Sequence, residues 1–513
     1  MTASRADGEV SGIAEKLGKV SFANSCDGAV QATLERSVAL LHSFWWDEGR
    51  KAFQQVIDQD PTCAIATWGI ASIDLGNPFA AGPSPAQAKD AQEAIARGRS
   101  VAAKTDRENA YIAAIASYYD GYPAKSHGVR LKALSDAFEA LAARFPDDDE
   151  AQLFEAIYLV GTQPPTDKTF ARTLKGAGIL EAQYLKHPEH PGVSHYLIHA
   201  YDYPPIAKEG LPAARRYAGL APSAPHALHM PSHIFTRVGA WQESIATNQR
   251  AVAVAKSENV VDEQLHSMDY MVYAELQLAR DADAHDVIAS IAQTGKPSAS
   301  RTGPFAIAEM FARYPLERGD WREAAQVPLS DSAIPYVRAM PVYARALGAA
   351  RSGNVAAAES DTQELERIAD ALKKAKDTYW GTEVEVQYLS AAAWTEYAKG
   401  NLDNALKVMR GAADLEDSSE KSAATPGRLV PARELLGDML RDNGNPAAAM
   451  KEYEASLSRD PRRFRSLFGA GQAAAAAGNS DSARAYYSQL VDMTGPDGIR
   501  PELTAARAFL ASK

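Results

Sequence analysis

The sequence predicts an all-α protein, a right-handed superhelix of stacked helix pairs (an α-solenoid) with a concave inner face. Three observations support this prediction. Glycines recur at a spacing of 34 residues, alanine-rich stretches typical of helices lie between them, and no stretch is typical of a β-strand. A single helix pair cannot bury its apolar face alone, so each pair is expected to stack on its neighbours.

The repeat is clearest in the C-terminal part of the chain. The stretch that follows Gly444 aligns with the stretch that follows Gly478, 34 residues later, and Gly319 and Gly353 have the same spacing. Residues 43–61 have a similar order of aromatic, small, aromatic and proline residues. A helix, a Gly-Asx-aromatic turn, a second helix and a proline resemble the tetratricopeptide repeat, and the resemblance covers most of the chain.

This pattern divides the chain into three predicted regions. Residues 1–25 form an N-terminal extension, residues 26–290 form repeats that carry the histidines, and residues 291–513 form further repeats that serve as a scaffold or closing half. The 11 histidines all lie between residues 42 and 285. Any histidine chemistry is therefore expected in the N-terminal half, while the C-terminal repeats close the superhelix or form a homodimer.

Composition excludes several classes of protein. Hydrophobic residues make up 46% of the chain and charged residues 23%, which is typical of a soluble folded protein. The net charge of -11 argues against nucleic-acid partners and anionic membranes. No apolar run is long enough to span a membrane. The first residues lack the apolar core of a secretory signal, which predicts a cytoplasmic protein, or a periplasmic one if a leader was removed.

The two cysteines, Cys26 and Cys63, do not form a Cys-x2-Cys motif, so a thiolate zinc site is not expected. Two alternatives stay open at this point. The cysteines are either reduced and partly buried thiols, or a disulfide that joins the N-terminal helices. The second alternative implies an oxidising compartment.

The repeat register gathers five histidines on one face. With Gly239 as the turn glycine, a helix begins near Pro225, and three of its histidines line the concave face. Two more histidines lie one repeat earlier, and spacings of three and four residues keep each group on one side of its helix. These five are His226, His229 and His233 in the later repeat and His195 and His199 in the earlier one.

Several neutral imidazoles with at most one carboxylate suit copper, zinc, iron or nickel, and they do not suit magnesium or calcium. Copper is favoured, because two His-x3-His pairs on adjacent helices are analogous to dinuclear copper sites, and zinc or iron is possible. Tyr196 and Met230 stand where a zincin peptidase has glutamate, which argues against that class. The predicted ligands are His195, His199, His229, His233, His226, His266 and His42.

Other side chains on this face are candidates for catalysis or substrate binding. Asp202 and Asp269 are predicted as a base, as metal ligands, or as acceptors that hold a ligand imidazole. Tyr270 is predicted as an acid or radical-type group, with packing as the alternative. The predicted substrate contacts are Trp68 and Tyr203 for an aromatic or apolar molecule, and Arg237 and Arg313 for a carboxylate or for acidic neighbours.

Five motifs resemble a bacterial subfamily of tetratricopeptide-repeat proteins. They are LLHSFWWDE, CAIATWGIA, HPGVSHYLIHAYD, APHALHMPSHIFTRVG and HSMDYMVYAELQ, and they lie between about residues 20 and 325. The resemblance implies that the histidines, Trp68, Asp269 and Tyr270 form one site, and it names no substrate.

Two functions follow from these patterns. The first is a metal-dependent enzyme acting on a small organic molecule, an oxidoreductase before a hydrolase. The alternative is a non-catalytic module that binds a protein, a peptide or a metal ion in the concave groove.

Overall fold

A computed structural model describes residues 15–80, 82–101, 103–297, 302–496 and 498–512. Within these ranges the chain forms helices and no strand, which confirms the all-α class. The helices up to the middle of the chain are α1 (Gln31–His42), α2 (Trp46–Gln59), α3 (Ile65–Leu75), α4 (Pro85–Val101), α5 (Asp106–Tyr119), α6 (His127–Arg144), α7 (Asp149–Gly161), α8 (Ala171–Lys186), α9 (Pro191–Tyr201), α10 (Leu211–Leu220), α11 (Pro225–His229), α12 (Pro231–Arg237) and α13 (Trp241–Ser257).

The later helices continue to the C-terminal end. They are α14 (Val261–Gln277), α15 (Asp281–Ser290), α16 (Thr302–Arg318), α17 (Trp321–Ala324), α18 (Pro335–Arg351), α19 (Val355–Lys374), α20 (Thr378–Ala398), α21 (Leu402–Asp417), α22 (Ala432–Asp442), α23 (Pro446–Arg459), α24 (Phe464–Ala476), α25 (Ser480–Thr494) and α26 (Pro501–Ala511). None of the helices in the described ranges combines the length and apolar character that a membrane span requires.

Glycine turns join the helices of several pairs. Gly444 and Gly478 have φ angles of +71° and +77°, which favour glycine because it has no Cβ. The asparagine after each glycine caps the next helix, since Asn445 accepts a hydrogen bond from the Ala448 backbone N–H. Gly239 has a φ of +70° and α13 begins two residues later, as the repeat register predicts.

Close contacts between glycines and aromatic rings hold adjacent helices of the repeats together. A Cβ on Gly469 would lie 2.4 Å from the ring of Tyr453, and a Cβ on Gly471 would lie 2.5 Å from the ring of Tyr487. No other residue fits at such an approach without movement of the ring. This explains why small residues recur at fixed places in the sequence pattern.

Two compact units divide the chain. The first comprises Met1–Tyr158, Ile179–Tyr196 and Arg216–Ala227, and the second comprises Leu159–Gly178, Leu197–Arg215 and Leu228–Lys513. The predicted boundary at residue 290 coincides with neither unit's limits and stays a prediction from the repeat pattern. Most of the predicted N-terminal extension, residues 1–14, lies outside the described residues.

Aromatic packing and a disulfide define the interior of the first unit. Trp68 is fully buried, stacks on Phe22 at 5.4 Å, and meets Tyr111 and Phe154 edge-on at 5.1 Å. Cys26 and Cys63 are joined by a disulfide that closes a span of 37 residues. Of the two alternatives for the cysteines, reduced thiols or a disulfide, the structure therefore shows the disulfide.

The second unit contains a non-helical segment, residues 418–431, between α21 and α22, which we call the inner segment. Several of its polar side chains are buried, with Ser419, Glu420, Lys421 and Thr425 each at most 9% exposed. Glu420 lies 2.7 Å from Lys168 and 3.2 Å from Arg459. The inner segment is therefore an ordered part of this unit and not a surface loop.

Candidate metal centre

Three histidines of the second unit lie together. His229 ends α11, His233 lies on α12 and His266 lies on α14. The sequence predicts one continuous helix from Pro225, but Pro231 lacks the backbone N–H that a helix interior needs, and the helix is divided there. Met230 keeps a right-handed helical backbone conformation, so His229 and His233 still lie on the same side.

The imidazoles of this cluster are close enough to share one ion. The Nε2 atoms of His229 and His233 lie 3.1 Å apart, and the His266 ring centroid lies 4.4 Å from that of His229. One ring nitrogen from each of the three lies within 4.8 Å of the others. His229, His233 and His266 are 0%, 2% and 6% exposed, so the nitrogens face the interior of the unit.

Asn248 on α13 determines which nitrogen of His229 carries the proton. Its side-chain nitrogen donates to the Ser244 carbonyl at 2.8 Å, which fixes the amide orientation. The amide oxygen therefore faces His229 Nδ1 at 2.8 Å and accepts its proton. A neutral His229 with a protonated Nδ1 presents the lone pair of Nε2 to His233.

Asp202 determines which nitrogen of His233 carries the proton. Its Oδ2 lies 3.0 Å from His233 Nδ1, and Oδ1 accepts a hydrogen bond from Arg237 Nε at 2.7 Å. Burial alone would raise the pKa of Asp202, but the charges of Lys421 and Arg237 hold this pKa well below its usual range. The carboxylate therefore accepts the Nδ1 proton, and His233 presents its Nε2 lone pair to His229.

The arrangement thus points two Nε2 lone pairs at each other across 3.1 Å. Two neutral imidazoles in these tautomers repel, and a positive charge between or beside them removes the repulsion. A proton or a metal ion supplies that charge. Carboxylate and amide acceptors behind the ligand imidazoles are the usual outer partners of histidine metal sites, so the residues fit a transition-metal ion that prefers nitrogen ligands.

Tyr270 and Asp269, the two candidates for catalysis on α14, have different surroundings. The Tyr270 ring stacks on His233 with centroids 4.9 Å apart, and its hydroxyl donates to the Ala423 and Thr425 carbonyls at 3.2 Å. Asp269 is fully buried, and burial together with the nearby Glu309 carboxyl raises its pKa well above the usual range. Asp269 therefore belongs to a carboxyl pair, while Tyr270 borders the histidine cluster.

The remaining predicted ligands are distributed between the two units. His199, in the second unit, has its ring centroid 6.3 Å from that of His233. His195 and His226 belong to the first unit, where their ring centroids lie 5.1 Å apart and the His195 Nδ1 faces the His42 carbonyl at 2.6 Å. These residues were predicted as ligands of a shared ion, and that role stays a prediction.

His42 lies in a second cluster, inside the first unit, with Glu150 and His190. The Nε2 atoms of His42 and His190 lie 2.8 and 2.9 Å from the two oxygens of Glu150. The Gly192 backbone N–H donates to His190 Nδ1 at 3.2 Å, so a neutral His190 carries its proton on Nε2. That nitrogen donates to Glu150. The role of His42 as a metal ligand stays a prediction.

The predicted substrate contacts have partners within the protein. Trp68 is enclosed by aromatic rings, and Tyr203 packs on Phe170 with centroids 5.0 Å apart. Arg237 pairs with Asp202, and Arg313, fully buried, pairs with Glu309. Of the two predicted roles of these arginines, the structure therefore shows pairing with acidic neighbours. Contact of these four residues with a substrate stays a prediction.

Sequence reasoning missed several residues around the two clusters. Asn248 and Lys421 were not predicted, and Glu150 and His190 were not assigned to a site. The sequence carries one signal for the second cluster, the glycine in HPGV (residues 190–193). A Cβ on Gly192 would lie 2.4 Å from the His42 ring, so a larger residue does not fit there without movement of the ring.

The fold and the histidine cluster define a class, helical-repeat proteins with an imidazole-rich interior. Residues 435–497 match the tetratricopeptide repeat family. The crystal structure of the P58(IPK) TPR domain is similar to this chain, with 16% sequence identity and a TM-score of 0.21. The alignment covers 79% of this chain and 98% of the P58(IPK) chain. No curated protein sequence matches the chain.

Proposed function

We propose that this protein is a non-catalytic helical-repeat module that binds one transition-metal ion through His229, His233 and His266. The observation that carries the proposal is the 3.1 Å separation of the two Nε2 atoms, with both Nδ1 protons directed to fixed acceptors. Outer acceptors of this kind fix the ligand tautomer and orient the ring before the ion arrives. The pattern differs from an ordinary buried histidine pair, where one Nε2–H donates to its neighbour.

Copper is the favoured ion, with zinc and iron as alternatives. The ligand set contains imidazoles without a thiolate, and copper has the highest affinity for nitrogen ligands in the first-row divalent series. The ligands must be neutral to bind, and the acceptors at Asn248 and Asp202 favour the neutral Nδ1–H tautomer. A bound ion would link α11, α12 and α14 through His229, His233 and His266.

The burial of the ligands favours a binding module over an enzyme. Structural metal sites are closed, whereas catalytic sites keep an open coordination position that substrate or water can reach. All three imidazoles are at most 6% exposed, and Tyr270 packs against each of them. The oxidoreductase and hydrolase hypotheses have no comparable observation in their favour.

Elemental analysis of the full-length chain, purified without a histidine tag, tests the proposal. We expect about one copper or zinc ion per chain, or uptake of one equivalent when Cu²⁺ or Zn²⁺ is added. The His229→Ala/His233→Ala variant is expected to lose that ion. His285→Ala, with its side chain 63% exposed, is the matched control and keeps it. A metal-free chain that takes up neither ion would contradict the proposal.

We also propose a type of partner, an oligomeric state and a compartment for this protein. The repeats in residues 435–497 support a peptide or protein partner over a small-molecule substrate. A homodimer through the C-terminal repeats is tested by light scattering. The Cys26–Cys63 disulfide supports an oxidising compartment such as the periplasm. We also propose that the chain belongs to the bacterial subfamily with the HPGVSHYLIHAYD motif. Other proteins with this motif are then expected to contain the same metal ion, which elemental analysis tests.

A further inference from the structure

A cavity of about 50 Å³ lies in the second unit between α16, α18, α20 and the inner segment, and we call it the aromatic cavity. Its wall contains five aromatic side chains, Phe305, Tyr336, Tyr343, Tyr379 and Trp380. Tyr379 and Trp380 on α20 are partly exposed and the other three are buried, so the cavity opens to solvent on the side of α20. A water needs at least about 10–15 Å³, so this volume holds about three to five waters or a molecule of about five heavy atoms.

Trp380 is the centre of this group of rings. Its indole stacks on Tyr336 with centroids 4.1 Å apart and planes inclined by 10°, and its centroid lies 5.5 Å from that of Phe305. The faces of aromatic rings carry partial negative charge, and a cation within about 6 Å of a ring centroid is attracted to them. The wall therefore suits an apolar molecule or an organic cation, and it disfavours an anion.

The charged groups on the wall, among the residues that the structure describes, are the carboxyls of Glu309, Glu383 and Glu416 and the guanidinium of Arg428. Glu309 pairs with Arg313, which lies outside the cavity. Arg428 lies 3.0 Å from Glu383 and 3.4 Å from Glu416, so two carboxyls share one guanidinium. Burial raises the pKa of Glu416 to about 7 in spite of the nearby Arg428. A cation in the cavity would compensate the second carboxylate.

Gln387 places a further acceptor on the same wall. Its side-chain oxygen is buried and accepts no hydrogen bond from the residues that the structure describes. Buried polar atoms in native structures are nearly always hydrogen-bonded, so this oxygen requires a donor from outside the described chain. An N–H group, or a C–H group polarised by an adjacent positive charge, is such a donor.

We propose that the aromatic cavity binds a small alkylammonium ion. The alkyl groups contact the rings of Trp380 and its neighbours, and the positive charge balances the two carboxyls that share Arg428. A neutral molecule would leave that negative charge unbalanced, and an anion would add to it. None of the imidazoles in the proposed ligand set is among the described residues on this wall, so the inference is independent of the proposed metal binding.

Isothermal titration calorimetry of the full-length chain tests the proposal at about pH 8, where Glu416 is mostly ionised. The probe is tetramethylammonium, which has no lone pair and therefore cannot bind to a metal ion. The matched neutral compound is tert-butanol, which has the same number of heavy atoms and a similar shape. Tetramethylammonium is expected to bind at one site per chain with a dissociation constant of about 1 mM, about tenfold tighter than tert-butanol. Equal affinities, or no binding of tetramethylammonium, would overturn the proposal.

Two variants each remove one feature of the aromatic cavity. Trp380→Leu keeps an apolar side chain and removes the aromatic face, whereas Glu416→Gln removes the charge and keeps an acceptor for the Ala432 backbone N–H. Each is expected to bind tetramethylammonium about tenfold more weakly and to bind tert-butanol as the wild type does. Trp380→Phe keeps a ring and is expected to lose less affinity than Trp380→Leu.

Glu385→Gln is the matched control, because it makes the same change on α20 at a carboxyl that pairs with Lys373 and does not line the cavity. It is expected to bind tetramethylammonium with wild-type affinity. Two independent variants are used so that poor folding of one does not decide the result. Wild-type affinity for tetramethylammonium in Trp380→Leu and Glu416→Gln, at least one of them folded as judged by circular dichroism, would overturn the proposal.

Discussion

Replacing Asn248 by leucine is expected to weaken Zn²⁺ binding by about 10- to 100-fold, or roughly 1.4–2.8 kcal/mol. Asn248 is fully buried, and its amide oxygen is the acceptor for His229 Nδ1 at 2.8 Å. Leucine has a similar volume and no acceptor. The protein must then leave the Nδ1–H of His229 without a partner or move that proton to Nε2, and the second option removes a metal ligand.

Asn248→Asp is the matched comparison, because both variants lose the side-chain donor to the Ser244 carbonyl. Aspartate still offers an oxygen to His229 Nδ1, so its affinity for Zn²⁺ is expected to equal or exceed that of the wild type. The difference between the two variants therefore isolates the acceptor oxygen. Competition titration with a chelator of known affinity gives the three dissociation constants.

A distant control is Asn443→Leu, an exposed position outside the cluster. It is expected to leave Zn²⁺ affinity unchanged. If Asn248→Leu, folded as judged by circular dichroism, binds Zn²⁺ as tightly as Asn248→Asp, the tautomer of His229 does not depend on this residue, and the reasoning from the ring protons is refuted.

Three further predictions concern stability. Burial, with nearby Asp283, raises the pKa of Glu275 to about 8 in the folded state, so the stability linked to its protonation is complete at low pH and is lost as pH rises. Glu275→Gln is expected to gain roughly 3 kcal/mol relative to wild type between pH 5 and 7.5, measured by urea unfolding. Reduction of the Cys26–Cys63 disulfide, which closes a span of 37 residues, is expected to destabilise the first unit by about 4 kcal/mol, measured with and without reductant. Gly469→Ala is expected to cost about 1–3 kcal/mol and lower the melting temperature.

Each of these has its own control. Glu258→Gln makes the same substitution at an exposed position and is unfolded in the same urea series. A Cys26→Ser/Cys63→Ser variant should be insensitive to reductant, and sensitivity in that variant would show that the reductant acts elsewhere. Gly411→Ala inserts a methyl group into open space. Equal stability of Gly411→Ala and Gly469→Ala would contradict the close packing of repeats on the Tyr453 ring.

Local patterns were enough to predict the repeat and the positions of the histidines along it. A glycine with positive φ follows the first helix of the pair at Gly239, Gly444 and Gly478, so Gly239 fixed the place of His229 and His233 on the later repeat. The division of the helix at Pro231 was also open to prediction, since proline has no N–H. These features depend only on neighbours within a few residues.

The partners of the histidines could not be predicted, because they depend on packing between distant parts of the chain. Asn248 is one polar residue among several on α13, and nothing nearby marks it as the acceptor for His229. Lys421 lies in a region predicted as scaffold, 219 residues after Asp202 in the sequence. Pro426 and Gly427 in the inner segment carry no information on what the segment contacts.

Proton positions, and not composition, distinguish the two histidine clusters. Both are buried, and each contains histidines beside a carboxylate. In the first unit Glu150 accepts from the Nε2 atoms of His42 and His190, so the protons lie between the rings and the carboxylate. In the second unit the carboxylate and the amide lie behind the rings and draw the protons to Nδ1, so the Nε2 atoms of His229 and His233 converge without them. This difference in proton positions is why the proposed metal site is the cluster of the second unit and not that of the first.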